Sequence, residues 1–297
     1  LARFILATDT GVVQVTDFSI ASGSDSFSGK AVKKEASVSL FQHIGRVNCV
    51  SVSENFIVSG GSDTVISCIE KVVTLTNSSQ NSKGGQLKRV FSMAAYSSEV
   101  VCSAVSKEFH VVASGTRDGH VIVQSLEKSN VTCVIDLQND RKPSHITITR
   151  AWGFIVVCAV REHDGNEPDD DGSEILVFTL KGELVGQRKI EGKVSKILTW
   201  ASNDGFDFLT AALDVGKIIA FEAFYLSGDL IVVADSGNAN TESCLCKLPE
   251  GFGCVGNEIV VMSYSIESGT LVAISKSGSV SLINNFFINT QRLMKKL

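Results

Sequence analysis

Histidine, serine and cysteine side chains could support nucleophilic or acid–base catalysis in this chain, but none of them lies in a catalytic motif. No serine occupies a G-x-S-x-G turn, no H-E-x-x-H pair occurs, and the G-x-x-x-x-G-K-[ST] phosphate loop is absent. An activated nucleophile also needs a neighbouring base and a third group that orients it. We therefore predict no catalytic residues and no enzymatic activity. The histidines are expected in loops or on strand surfaces, namely His43, His110, His120, His145 and His163.

The eight cysteines could bind a metal or form disulfides, but their spacing favours neither. Cys244 and Cys246 form the only close pair, and no second ligand pair follows at zinc spacing. Five others lie inside apolar strand patterns, where a reduced thiol packs as a small hydrophobe, namely Cys49, Cys68, Cys102, Cys133 and Cys158. This pattern predicts structural thiols in a reducing, cytoplasmic setting, with no metal and no cofactor.

One acidic segment could bind calcium. It holds Asp164, Glu167, Asp169, Asp170, Asp171 and Glu174. A calcium loop needs oxygen ligands at fixed alternating positions, and Pro168 breaks that spacing. A solvated acidic loop is the better prediction. The whole chain has a net charge of −5, so no broad basic surface is expected and nucleic acid is excluded as a partner.

Residues 111–126 indicate the structural element from which the chain is built. The apolar residues Val111 to Ala113 are followed by Asp118-Gly119, a dipeptide that tolerates the positive φ angles of a two-residue turn. Val121 and Val123 then resume with one residue between them, as a returning strand requires. This segment predicts a β-hairpin.

The same hairpin pattern occurs six times along the chain, and the segment around Gly119 is one of the six. Its turn positions are Gly11, Thr64, Gly119, Gly172, Gly216 and Gly278, at intervals of 44 to 62 residues. Inward-facing residues are expected two and four places after the turn: Val13 and Val15, Ile66 and Cys68, Val121 and Val123, Ile175 and Val177 (shifted by one), Ile218 and Ala220, and Val280 and Leu282. Mostly small residues stand four and five places before it, as in Ser59-Gly60 and Ser114-Gly115, where neighbouring repeats would crowd.

An internal repeat near the length of a propeller blade predicts an all-β, WD40-like β-propeller of six to seven blades. The first blade is incomplete, because Arg3 to Phe18 form a hairpin with no strand before it. We expect a single domain over residues 1–297, in which residues 1–20 close the ring with the C-terminal strands. An open β-solenoid or two β-sandwiches are the alternatives. The longest apolar run, Gly153 to Val160, is too short to span a membrane.

The repeat around Gly119 resembles the WD40 region that ends BEACH-domain proteins of the neurobeachin and beige group. The segment from Trp152 to Ser195 is similar to that family in its order of strands, with Phe178, Gly182, Leu184, Val194 and Ser195 at matching positions. The Trp-Asp signature is absent, and Gln42-His43 only weakly represents the Gly-His pair, so a buried His–Asp relay is not expected. No BEACH domain lies in these residues. The chain opens on Leu1, so such a domain could precede it in a longer protein.

The resemblance implies a cytoplasmic scaffold, peripheral at vesicle or lysosome-related membranes, whose partners are trafficking or membrane-associated proteins. Two alternatives stay open: a propeller hydrolase with carboxylates around its channel, and a free-standing WD-repeat adaptor unrelated to trafficking. We expect partner contacts beside the hairpin turns, at Arg117, Asp118 and Lys276. The sequence leaves the binding face, the partner and the blade count undetermined.

Overall fold

The computed structural model describes residues 2–20, 32–54, 56–73, 85–93, 96–138, 140–161, 172–202, 205–214, 217–223, 226, 231–235, 246–247, 258–265, 269–284 and 286. Within these residues the chain forms 23 β-strands in six sheets, and antiparallel pairing predominates. No helix among them is long and apolar enough to cross a membrane. The chain falls into two compact units, and the residues of β10 (His120–Ser125) are divided between them.

The first compact unit comprises Leu1–Asp118 and Gln124–Asn130. Its strands alternate apolar and polar residues or carry continuous apolar runs, and they connect to their sequence neighbours in up-and-down order. The strands are β1 (Ala2–Ala7), β2 (Val12–Ile20), β3 (Val32–Gln42), β4 (Val47–Ser53), β5 (Phe56–Gly61), β6 (Ile66–Val73), β7 (Gly85–Met93), β8 (Val100–Ser106) and β9 (Val111–Thr116). Strands β1 to β3 form one sheet and β4 to β7 form another.

The second compact unit comprises Gly119–Val123 and Val131–Leu297. Its strands are β11 (Val131–Asp136), β12 (Arg141–Ile148), β13 (Ile155–Arg161), β14 (Ser173–Phe178), β15 (Leu184–Ile190), β16 (Val194–Ala201), β17 (Asp207–Leu213), β18 (Lys217–Glu222), β19 (Ile231–Asp235), β20 (Cys246–Lys247), β21 (Ile259–Ser265), β22 (Thr270–Ser275) and β23 (Val280–Ile283). Three sheets are formed by β12 to β15, β16 to β20 and β21 to β23, and β8 to β11 form a further sheet. The prediction that residues 1–297 form a single domain closed by residues 1–20 stays a prediction.

The predicted hairpin turns that the structure describes lie between paired strands. Gly11, Gly119 and Gly278 adopt φ angles of 90°, 92° and 87°, and Thr64 adopts 62° without being glycine. Gly172 directly precedes β14, and Gly216 lies outside the described residues. At Gly119 the backbone also passes close to β12, because an added Cβ would stand 2.8 Å from the carbonyl oxygen of Arg141. Glycine is therefore required there on two grounds.

The inward-facing positions are confirmed in five of the six hairpins. Val15 is half-buried and the other predicted residues of these hairpins are buried: Val13, Ile66, Cys68, Val121, Val123, Ile175, Val177, Ile218 and Ala220. The prediction is wrong for Val280 and Leu282, which are 59% and 63% exposed. Ile283 on the opposite face of β23 packs instead into a cluster with Trp200 and Phe286. Because side chains alternate along a strand, burying Ile283 turns Val280 and Leu282 outward.

The small residue Gly60 allows two sheets of the first compact unit to approach closely. A Cβ added at Gly60 on β5 would stand 2.4 Å from Cγ1 of Val100 on β8 and 2.9 Å from Sγ of Cys49. This contact confirms the expected crowding at that position.

Candidate functional site

Arg117 and Lys276, two of the three predicted contact residues, occupy equivalent places in different sheets. Each stands two residues before a turn glycine and donates its backbone N–H to the carbonyl of a glutamate, Glu99 or Glu258. The side chains repeat the pairing: Nε of Arg117 lies 2.6 Å from Oε1 of Glu99, and Nζ of Lys276 lies 3.5 Å from Oε1 of Glu258. Both cations remain more than half exposed. Their predicted role in partner binding stays a prediction.

Asp118 is exposed but already holds structural hydrogen bonds. Its carboxylate accepts hydrogen bonds from the hydroxyls of Ser97 and Thr116. These contacts join the turn between β9 and β10 to the loop before β8, because Ser97 lies in that loop. Asp118 therefore orients the turn, whatever else it contacts.

His43 forms a buried hydrogen-bonded relay that sequence reasoning did not expect. It is 1% exposed, its Nδ1 lies 2.9 Å from Oδ1 of Asp63, and its Nε2 lies 2.9 Å from the hydroxyl of Ser59. The second oxygen of Asp63 accepts the backbone N–H of Ile44 at 2.9 Å. Two predictions were wrong here: that His43 lies on the surface, and that no His–Asp relay forms. The His43 ring can be buried because it is hydrogen-bonded to the Asp63 carboxylate, so neither group lacks a partner.

An equivalent relay in the next sheet uses different side chains. The hydroxyl of Tyr96 lies 2.9 Å from that of Ser114 and donates to Oε1 of Gln124 at 2.7 Å. Burial raises the pKa of the Tyr96 phenol, so it stays protonated. Ser114 and Asp118 have the same spacing of four residues as Ser59 and Asp63, and this spacing was the available signal.

Five cysteines are free thiols, namely Cys49, Cys68, Cys102, Cys133 and Cys158. Burial raises the pKa of Cys49 to about 11 and that of Cys158 to about 11, and burial with the nearby Glu70 carboxylate raises that of Cys68 to about 12. Among the described residues no group of three or more His, Cys, Asp and Glu side chains could hold a metal ion. Cys244 lies outside the described residues, and Cys246 lies on β20.

Cys158 and His145 are directly opposed on β13 and β12. The pKa of His145 falls to about 4, because burial and the neighbouring Lys196 disfavour the charged ring. The thiol and the imidazole are thus both neutral near neutral pH. A thiolate–imidazolium pair, which cysteine nucleophiles use, is disfavoured at this place.

Glu174 was predicted to lie in the acidic loop but belongs to a strand. It lies on β14, is 7% exposed, and its Oε2 stands 2.8 Å from Nε of Arg141 and 4.0 Å from Nη2 of Arg161. Arg141 and Arg161 oppose each other in register, so Glu174 relieves their repulsion. The loop prediction for Asp164, Glu167, Asp169, Asp170 and Asp171 lies outside the described residues, as does His163.

Trp152 is the largest exposed aromatic residue that the structure describes, with 63% of its surface open. The buried carboxylate of Asp207 accepts the backbone N–H groups of Ala151 and Trp152, each at 2.9 Å. The indole N–H donates to the carbonyl of Gly205 at 3.0 Å, and the next residue, Phe206, is 52% exposed. An added Cβ at Gly205 would meet nothing within 4 Å. Two exposed aromatic residues thus flank an open place on a fixed backbone, an arrangement we name the aromatic edge.

The five positions that carry the family resemblance have ordinary structural places. Phe178 and Val194 are buried, Leu184 is exposed, and the hydroxyl of Ser195 donates to the carbonyl of Ala212. Gly182 has a φ of 88°, and an added Cβ would stand 2.5 Å from Sγ of Cys133. Packing, a hydrogen bond and turn geometry explain these positions except the exposed Leu184.

Comparison with known proteins shows the fold. No family model matches the chain. A WD40-containing chain in the crystal structure of the mitotic checkpoint complex is similar, with a TM-score of 0.59 and 15% identity, over 95% of this chain and 73% of its own. The computationally designed Ika8 protein has a TM-score of 0.55 and 13% identity, over 96% of this chain and 69% of its own. With the antiparallel sheets, these likenesses confirm the predicted fold class, an all-β, WD40-like β-propeller fold.

Proposed function

We propose that this chain is a non-catalytic scaffold that binds other proteins, with the aromatic edge as a principal contact. Trp152 carries the proposal. Large exposed aromatic residues are enriched among the residues that dominate binding energy at protein interfaces. The Asp207 hydrogen bonds fix the Trp152 backbone before any partner arrives, which lowers the ordering cost of association.

Two observations support a function without chemistry. The inner strands β4, β8, β12 and β16 contain no aspartate or glutamate, whereas the alternative of a propeller hydrolase needs carboxylates at such positions. The opposed Cys158 and His145 also have pKa values that disfavour an activated nucleophile. Both support a scaffold in preference to a hydrolase.

The test compares proximity labelling by the full chain with that by the variants Trp152→Ala and Phe206→Ala. Leu184→Ala is the matched control, because Leu184 is also an exposed apolar residue, 51% open, on the outer strand β15. At least one labelled protein should be lost from both aromatic variants and kept by the control. The same proteins labelled by all four chains would contradict the aromatic edge. Turnover of glycoside or ester substrates that is lost on mutating one carboxylate would contradict the scaffold.

The finer part of the proposal concerns vesicle and lysosome traffic. It is supported by the sequence resemblance to the WD40 region of BEACH-domain proteins at Phe178, Gly182, Leu184, Val194 and Ser195. On this basis we propose a cytoplasmic protein, peripheral at trafficking membranes, with trafficking factors as partners. Fluorescent tagging of the full-length protein tests it, and even staining with no vesicle-associated fraction would favour an adaptor unrelated to trafficking.

A further inference from the structure

A cleft of about 340 Å³ opens in the first compact unit. Its floor is apolar, formed by the buried Phe56 of β5 and Leu126 after β10, with Val90 of β7 beside them. Leu126 is fixed by a backbone hydrogen bond of 2.8 Å from its N–H to the carbonyl of His110. The volume lies at the small end of ligand-binding pockets, which fits one long side chain.

The walls of this cleft are acidic. Glu70 lies opposite Phe56 in the β5–β6 register, so both side chains project from the same face of the sheet. Glu127 forms the other wall, with 66% of its side chain exposed, and His110 stands 3.7 Å from it. Ser129 completes the rim with a hydroxyl. Two carboxylates therefore face a space whose floor is hydrophobic.

From this arrangement we propose that the cleft binds the side chain of a lysine or arginine presented by a protein partner. The methylene stem of such a side chain packs on apolar surface while its charged end stays among polar groups. Phe56 and Leu126 provide that surface, and Glu70 and Glu127 provide the opposite charge. An acidic side chain would be repelled by both carboxylates, and a purely apolar one would remove water from them without adding a positive charge.

This inference rests on the proposed function, and its test uses small compounds so that the two can fail separately. The probes are N-acetyl-arginine amide and N-acetyl-lysine amide, with N-acetyl-citrulline amide as the uncharged control of the same shape. Binding to the full chain is followed by the amide chemical shifts of Leu126 and Ser129 in NMR spectra. The variants Glu70→Gln and Glu127→Gln are tested separately. Lys88 lies opposite Glu70 in backbone register, so the two carboxylates have different charged neighbours. Glu183→Gln, an exposed glutamate of the second compact unit, is the matched control.

Both cationic probes should produce saturable shifts at these amides, and the citrulline probe should bind more weakly. Each cleft variant should weaken the cationic probes by about three- to fivefold, as expected for one partly exposed ion pair, while the control variant leaves them unchanged. Equal binding of arginine and citrulline probes would overturn the proposal. Unchanged affinity in either cleft variant would also overturn it, because the proposal requires both carboxylates to interact with the cation. Loss of labelled partners from the Trp152 variant would still support the scaffold.

Discussion

The imidazole of His43 lies 2.9 Å from the carboxylate of Asp63, although the two residues are 20 positions apart in the sequence. The contact joins the loop before β4 to the turn between β5 and β6. It is the centre of a relay that continues to Ser59 and to the backbone of Ile44. The sheet that holds it therefore depends on polar groups as well as on apolar burial.

Replacing His43 with alanine should destabilise the chain by about 2–3 kcal/mol, because it leaves the buried hydroxyl of Ser59 and the carboxylate of Asp63 without their partner. Urea denaturation followed by circular dichroism measures the change. Tyr96→Phe removes a hydroxyl from the equivalent relay and should cost about 1–2 kcal/mol. A wild-type midpoint for His43→Ala would show that the relay adds nothing to stability.

Gly60→Ala should destabilise the chain by about 1–3 kcal/mol, because the new methyl group collides with Val100 and Cys49. Val100→Ala removes Cγ1, the atom that stands 2.4 Å from the added Cβ. The double variant should therefore lose less stability than the sum of the two single variants. Strict additivity in this double-mutant cycle would indicate that the collision does not occur.

His145 should make stability depend on pH between its unfolded and folded pKa values. The ordinary value is 6.5 and the folded value is about 4, so the unfolded chain binds more protons in this range and acidification destabilises the fold. The loss should reach at most about 3 kcal/mol near pH 4 and be absent above pH 7. Comparing unfolding free energies of wild type and His145→Gln across this range isolates it. Parallel profiles for the two proteins would contradict the assignment.

Arg117→Ala and Lys276→Ala should change stability by less than about 1 kcal/mol each, because both ion pairs are solvent-exposed. Thermal unfolding measures this. If either residue binds a partner as the sequence predicts, the same variant should lose a labelled protein in the proximity experiment. A large stability loss would assign these residues to the fold, and unchanged labelling would remove them from the interface.

The sequence by itself determined the hairpins. The alternation of apolar residues and the dipeptide Asp118-Gly119 encode a strand, a turn and a returning strand within fifteen or so residues, and these are local properties. For that reason β9 and β10 lie within the predicted hairpin of residues 111–126, one on each side of Asp118-Gly119. The repetition of the hairpin then indicated the fold class, because one sheet after another is built in the same way.

Only the tertiary structure decided which polar residues are buried and which apolar residues are exposed. His43 and Glu174 are polar, Leu282 is apolar, and nothing in the sequence next to them contradicts the expected surface or core position. Asp63 lies 20 positions after His43, and Arg141 lies 33 positions before Glu174. Leu282 is turned outward because Ile283 packs against Trp200. Such pairings arise from the register between strands and from the packing of one sheet on another, which the alternation within a strand does not encode.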